Sequence, residues 1–276
     1  NNNSNYSPYY DASLSVTPSV SAPPQYNVSF EESDFDTKPW LREFSFVIVI
    51  NKATTGNDKQ SVRIYHNQKL VQGKDVVAFL QARQQMSITA PELLGLPKQD
   101  YYSYSTQLLI DETNKALQGR ERRIADLSKR MWAPDVFKVS TGRDQFEPKG
   151  THHSQKDSWS ITPTGFFTPQ TTVIRHKSES YSFTACDSFL GKFIGAIARK
   201  EMCTYMNFAV FFNGSIAAHQ VIPGTEPMLG KKASGGCVRM PGALAEYLYW
   251  NITELPKASI PVFSADGQLS LDEYGR

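Results

Sequence analysis

No apolar run in this sequence approaches the ~18–20 residues that a membrane-crossing helix needs, so no membrane span is expected. An excess of charge of either sign is also lacking: Lys and Arg number 29 against 27 Asp and Glu, for a net +2. A nucleic-acid binder would gather a basic excess on one element, so that class is not expected. Cysteine is scarce and its count, three, is odd. In an oxidising compartment an odd count reads as one disulfide plus one free thiol. Pairing Cys186 with Cys203 leaves Cys237 free; the alternative is that Cys186 and Cys203 are both unpaired. The chain also begins without Met, and its opening, NNNSNYSPYYDASLSVTPSVSAPPQYNVS, lacks helical or strand periodicity. It reads as a disordered linker over residues 1–38, either the mature end of an exported chain or a trimmed start.

What is present suits a sizeable core: 276 residues, 40% of them apolar. From Phe44 the pattern changes. FSFVIVINK is a short continuous apolar run of the kind that forms a buried strand, TTGNDKQ supplies a turn, and SVRIYHN alternates as a second strand. Residues 74–135 differ in character. DVVAFLQARQQM places Val76, Phe79 and Leu80 at helical spacing, and Ile110, Leu117, Ile124 and Met131 fall seven apart with Leu127 between them. This segment is expected to be a helical insertion whose stripe joins the chain's own core. Strand character resumes at VFKVSTGRD and in SWSITPTGFFTPQTTVIRH, with a second insertion-like stretch at SESYSFTACDSFLGKFIGAIARKEMCTY. MNFAVFFNGSIAAHQ carries an Asn213-Gly214 hairpin signal. GALAEYLYWNI after Pro241 reads as a helix and IPVFSA as a last strand.

The chemistry is concentrated between His219 and Arg239, HQVIPGTEPMLGKKASGGCVR. A thiol is a weak nucleophile until deprotonated, and an imidazole brought beside it can take the proton. The intervening loop, with Pro223, Gly224, Pro227 and Gly230, is suited to folding back so that His219 and Cys237 meet. Gly235 and Gly236 free the backbone beside the thiol, so an oxyanion hole is expected from the N–H of Cys237 with that of Gly236 or Gly235. Ser234 reads as a hydrogen-bonding residue of the turn.

These residues resemble the signature of the L,D-transpeptidases with a YkuD-type catalytic domain: a His, then fourteen to seventeen residues, then Ser/Thr-x-Gly-Cys-aliphatic-Arg/Asn. Here fourteen residues separate His219 from Ser234-Gly235-Gly236-Cys237-Val238-Arg239. INKATTGNDKQSVRIYHNQKLV is similar to the family's opening hairpin, FKVSTGRD to its VSTG strand, ITPTGFFTP to its TPTG segment, and NFAVFFNGSIAAHQ to the strands leading to the His. The resemblance covers residues 44–73 and 136–265. Many members carry His where Gly235 stands, a departure of this chain. The resemblance implies a mostly β, sandwich- or barrel-like catalytic domain over residues 39–276. It also implies that Cys237 attacks the bond between the L-centre of meso-diaminopimelate and a terminal D-Ala in peptidoglycan stems. His219 would be the base, its second ring nitrogen fixed by a carbonyl near Gln220 or Gly236. Arg239 would anchor the turn or attract a stem carboxylate. The acyl group would pass to a second stem, forming a 3→3 cross-link, or to water, as in an L,D-carboxypeptidase. No metal or organic cofactor is required, and the location implied is the periplasm or cell envelope.

Other features have plainer readings. His152 and His153 sit in a polar loop, and they, with His66 and His176, are expected at the surface. Tyr101, Tyr102 and Tyr104 read as a loop packed on the core. The insertion at 74–135 is expected to cap the active-site groove or to bind a partner. A non-catalytic wall-binding module that uses this insertion for contact with a protein partner is the reading from a different class.

Overall fold

A computed structural model describes residues 32–37, 39–56, 58–84, 106–182, 203–255 and 260–266. Five helices lie among them: α1 (Asp34–Thr37), α2 (Gly73–Gln84), α3 (Thr106–Leu117), α4 (Arg120–Asp126) and α5 (Gly242–Glu254). The strands are β1 (Phe46–Asn51), β2 (Ser61–His66), β3 (Lys69–Leu70), β4 (Met131–Ala133), β5 (Val136–Lys138), β6 (Phe146–Glu147), β7 (Ser158–Trp159), β8 (Gly165–Phe167), β9 (Thr171–Lys177), β10 (Tyr205–Asn213), β11 (Ile216–Gln220), β12 (Val238–Met240) and β13 (Val262–Ala265). They form an open seven-stranded sheet ordered β4-β5-β2-β1-β13-β8 with β3 beside β2, a four-stranded sheet ordered β12-β11-β10-β9, and the β6–β7 pair. The fold is thus mostly β and sandwich-like, with no closed barrel among the described residues. None of the described helices is long and apolar enough to cross a membrane.

The layers follow from which faces are apolar. Strand β1, FVIVIN, is buried on both faces, as its unbroken apolar run requires. On one face Phe46, Ile48 and Ile50 join Val62 and Ile64 against α5, while on the other Val47, Val49, Tyr65 and Phe263 are covered by Phe35 and Leu41. The segment at Asp34–Thr37, expected in the linker, therefore forms a helical turn that buries Phe35 against Tyr65, with ring centroids 5.5 Å apart. A ring of that size has a place on an otherwise exposed apolar face, and this overrides the polar composition around it. Residues 1–31 lie outside the described residues.

Helix α5 is apolar nearly all round and lies between the two sheets, which is the only stable place for such a helix. Tyr247 meets Phe46 of the large sheet, and Tyr249 meets Phe208 of the small one. Its one buried carboxylate, Glu246, is matched by two guanidiniums from α4: Arg120 Nη2 at 2.5 Å and Arg123 Nη2 at 2.7 Å.

Those arginines show what the insertion does. Val76, Leu80, Ala116 and Leu127 belong to the central core, with Leu117, Ile124 and Met131 packed against it. The heptad-like stripe is thus intramolecular, although Gln118 and Gly119 interrupt it between α3 and α4. Helices α2 and α4 pack on α5. The structure gives no support to a partner-binding role for the insertion, because its apolar stripe is spent on this chain's own core. Tyr101, Tyr102, Tyr104 and Cys186 lie outside the described residues; Cys203 is disulfide-bonded and Cys237 is a free thiol.

Candidate active site

The small sheet turns one face to α5 and the other away from it. Ile174, Phe208, Val210, Ala218, Val238 and Met240 face the helix, whereas Met206, Ala209, Phe211 and Ala217 form a separate cluster on the far face, with Val173 and Cys237 packed against it. Strands β11 and β12 run parallel, with Ala218 beside Val238 and His219 beside Arg239. Paired residues of a sheet point to the same side and alternate along each strand. His219 and Arg239 therefore lie on the far face with Ala217, and Cys237, two residues before Arg239, shares it. The Ala217 N–H reaches toward the Cys237 sulfur. With strands ~4.8 Å apart and a rise of ~3.3 Å per residue, the Cα atoms of residues 219 and 237 stand about 8 Å apart on the diagonal.

The imidazole of His219 is buried, and its Nδ1 lies 2.6 Å from the Gln220 carbonyl oxygen. A carbonyl can only accept, so Nδ1 carries the hydrogen and Nε2 keeps its lone pair. Burial drives the pKa of His219 down to about 3, with the charges of Arg239 and His176 acting the same way. Burial likewise pushes the Cys237 thiol up, against the Ala217 amide and the Arg239 charge, which favour thiolate. Both effects favour neutral imidazole and thiol over an ion pair. Sγ lies 3.8 Å from the Ser215 carbonyl and 4.0 Å from Met206 Sδ, and no hydrogen bond joins it to His219.

The turn bearing the thiol is held from three sides. Ser234 Oγ donates to the Cys237 carbonyl and accepts from the Gly236 N–H at 3.1 Å. That amide, one of the two expected partners for the Cys237 N–H in an oxyanion hole, is therefore already engaged; the Ser234 hydroxyl is near enough to take it. Gly236 has φ +121°, a conformation that disfavours any side chain. The VSTG segment pairs with the turn: Ser140 exchanges two backbone hydrogen bonds with Arg239, and the Thr141 carbonyl accepts from the amides of Ala233 and Ser234. The TPTG segment adds Thr162, whose Oγ1 donates to the Gly236 carbonyl at 2.5 Å and accepts from the Gly142 N–H at 2.8 Å. Lys52 fixes Thr162 in turn, donating to its carbonyl at 2.7 Å.

Arg239 is the unbalanced group. Its Nη1 reaches the Ala233 carbonyl at 3.5 Å, and among the described residues no carboxylate pairs with it. Burial lowers its pKa, and the neighbouring Arg143 charge acts in the same direction. Arg143 itself is balanced by Glu147, which burial alone would make a weaker acid but which hydrogen bonds from Arg143 and Ser160 hold at about 2.

Two histidines expected at the surface are half-buried instead. His66 packs on Phe46, ring centroids 4.4 Å apart, with its Nδ1 3.4 Å from the Tyr247 hydroxyl. His176 pairs with Met206 across β9–β10, and its ring lies 5.1 Å from that of Phe211. For His176 the reason is Phe208, whose φ of +56° interrupts the alternation of β10, so that Met206 as well as Ala209 and Phe211 face the thiol side. His152 is exposed, as expected. Among the described residues no cluster of three or more His, Cys, Asp or Glu is placed to hold a metal ion.

A free thiol, a tautomer-fixed imidazole and an unbalanced guanidinium thus share one sheet face. The L,D-transpeptidase catalytic domain (YkuD) model matches residues 120–261, just over half the sequence, and the chain belongs to that family. The match takes in the VSTG and TPTG segments and the His-to-Cys motif, while the opening hairpin lies before it. No curated protein matches. Among solved structures, the chain is similar to an L,D-transpeptidase from Xylanimonas cellulosilytica at 15% identity and TM-score 0.39, covering 80% of this chain and 61% of that one. It is also similar to one from Mycobacterium tuberculosis at 12% identity and TM-score 0.39, covering 80% and 58%, and to one from Mycobacterium smegmatis at 12% and 0.38, covering 80% and 59%. The chain thus spans less than two thirds of the length of these structures, and membership of the family rests on the sequence match.

Proposed function

We propose that this chain is a peptidoglycan L,D-transpeptidase of the periplasm or cell envelope, with Cys237 as nucleophile and His219 as general base. The observation that carries the reading is the β11–β12 register, which sets thiol and imidazole diagonally on one face while the Gln220 carbonyl leaves Nε2 as the proton acceptor. A change of Cys237 rotamer, from the Ser215 carbonyl toward the imidazole, is the motion the mechanism needs; catalytic hydrogen bonds often close only with substrate bound.

In the acylation step the sulfur attacks the carbonyl carbon between the L-centre of meso-diaminopimelate and the terminal D-Ala. The thiol proton passes to Nε2, and the oxygen takes the negative charge beside the N–H groups of Cys237 and Gly235. The C–N bond then breaks, the proton moves from the imidazole to the leaving D-Ala nitrogen, and a thioester remains. The amine of a second stem attacks the thioester, gives its proton to His219, and the thiol is restored with a 3→3 cross-link formed. Arg239, a cation without a carboxylate, is the proposed anchor for a carboxylate of the stem.

Incubation with tetrapeptide muropeptides tests the assignment. Cross-linked dimers are expected from the native chain and none from Cys237→Ala. Tripeptide without dimers would make the enzyme a carboxypeptidase instead, and unchanged muropeptides would overturn the proposal.

A further inference from the structure

Gly235 has a backbone that any residue could adopt, since its φ lies outside the left-handed region that favours glycine. What excludes a side chain is Tyr181: a Cβ built on Gly235 would stand 1.8 Å from the phenolic oxygen and 2.8 Å from Cζ. The phenol thus fills the space that a residue-235 side chain would take beside the thiol. Its oxygen accepts a hydrogen bond from the Arg143 guanidinium, and Arg239 is close enough to feel it electrostatically. Its backbone is fixed by Thr204, whose Oγ1 donates to the Tyr181 carbonyl at 3.0 Å, next to the disulfide-bonded Cys203. Gln155 N–H holds the neighbouring Ser180 carbonyl at 2.7 Å.

We infer that Tyr181 is a substrate-binding residue, whose hydroxyl donates to the same peptide carboxylate that Arg239 attracts, in place of a side chain at position 235. The inference rests on the proposed transpeptidase reading for its substrate class. Arg143 already has Glu147, so the open charge at this site is that of Arg239, and the phenol, whose oxygen accepts from Arg143, keeps its own O–H as a second donor for a carboxylate. The carboxylate held is one of the two stem carboxylates nearest the scissile bond: the C-terminus of D-Ala, or that of the diaminopimelate side chain.

Two measurements decide it. In the first, the Cys237→Ala protein is titrated with tetrapeptide stem, with the stem amidated at its C-terminus, and with the stem amidated at the diaminopimelate carboxylate. Tyr181→Phe in that background is expected to weaken binding of the free-acid stem about tenfold, the size of one hydrogen bond to a charged group. It should leave unchanged whichever amidated stem has lost the recognised carboxylate, which also identifies the source. In the active chain the same substitution should raise KM and spare kcat. Equal loss for all three stems, or no loss, overturns the inference. In the second measurement, Gly235→Ala should lower Tm in the native background and be tolerated in Tyr181→Ala; equal effects in both backgrounds would remove its steric basis. Acyl transfer that persists with Tyr181→Phe showing no acid preference sinks this inference alone. Acid-dependent binding without any acyl transfer sinks the transpeptidase assignment and leaves the carboxylate site standing.

Discussion

The two faces of the four-stranded sheet follow opposite rules. Under α5 the contacts are apolar, and the one buried carboxylate meets two guanidiniums. On the far face a buried histidine is kept neutral, a thiol is kept protonated, and a guanidinium is left without a carboxylate. The first face is what hydrophobic burial and charge pairing produce when stability alone is at stake. The second keeps polar groups at a cost, held there by backbone hydrogen bonds from the segments around the turn. The difference marks where this fold departs from its lowest-energy arrangement, which is where the proposed chemistry lies.

The largest test of this contrast lies on the stable face. Replacing Glu246 with Ala leaves Arg120 and Arg123 buried against α5 with no counter-charge, and removing one partner of a buried ion pair typically costs about 3–5 kcal/mol. Denaturant unfolding should show a loss of that order. Arg239→Met, which removes an unmatched cation from the other face, should cost far less or be stabilising. If the two substitutions destabilise equally, the faces do not differ as argued.

A smaller effect is expected from pH. The folded pKa of His219, about 3, lies below its ordinary value near 6.5, so the unfolded chain binds a proton there that the folded chain refuses. Stability from this group is complete above pH 6.5 and falls as pH drops toward 3. One proton difference corresponds to about 1.4 kcal/mol per pH unit, hence roughly 3 kcal/mol between pH 6.5 and 4.5. His66 and His176, also lowered by burial, act in the same direction. Glu147 adds its own loss only at lower pH, as it protonates toward its value of about 2. Chemical denaturation across this range should give a slope that His219→Asn flattens by about one proton; an unchanged slope would mean that the imidazole is not held neutral by burial.

Much of this arrangement is legible in the residues. The apolar run at β1, the Asn213-Gly214 turn between β10 and β11, and the helix after Pro241 all carry local signals strong enough to survive packing. The His and Cys are readable because one short loop joins two strands that pair in parallel, so spacing along the chain reports nearness in space. The Tyr181–Gly235 contact, in contrast, joins distant segments, and nothing local to either residue announces it. His176 is hidden for another reason: simple alternation does not foresee a left-handed Phe208, and it is this residue that brings Met206, the strand partner of His176, to the thiol side. Phe35 is obscured by the polar residues around it, because a single ring on an apolar sheet face outweighs composition.

The finest test asks whether the far face is held by its backbone network or merely tolerated. Thr162 is fully buried, and its hydroxyl serves both the Gly236 carbonyl and the Gly142 amide. Thr162→Val keeps the shape and removes both bonds, leaving a buried donor and acceptor unsatisfied at a cost of about 1–3 kcal/mol. Thr162→Ser keeps the hydroxyl and should recover most of that loss. Because the broken bonds are those of the turn, the Val variant should also alter the alkylation rate of Cys237 by iodoacetamide at fixed pH, while the Ser variant should not. A Val variant that loses stability with no change at the thiol would place Thr162 with the core, and the stiffness of the turn would then have to come from the Ser234 hydroxyl and from the Ser140–Arg239 and Thr141–Ser234 backbone pairing.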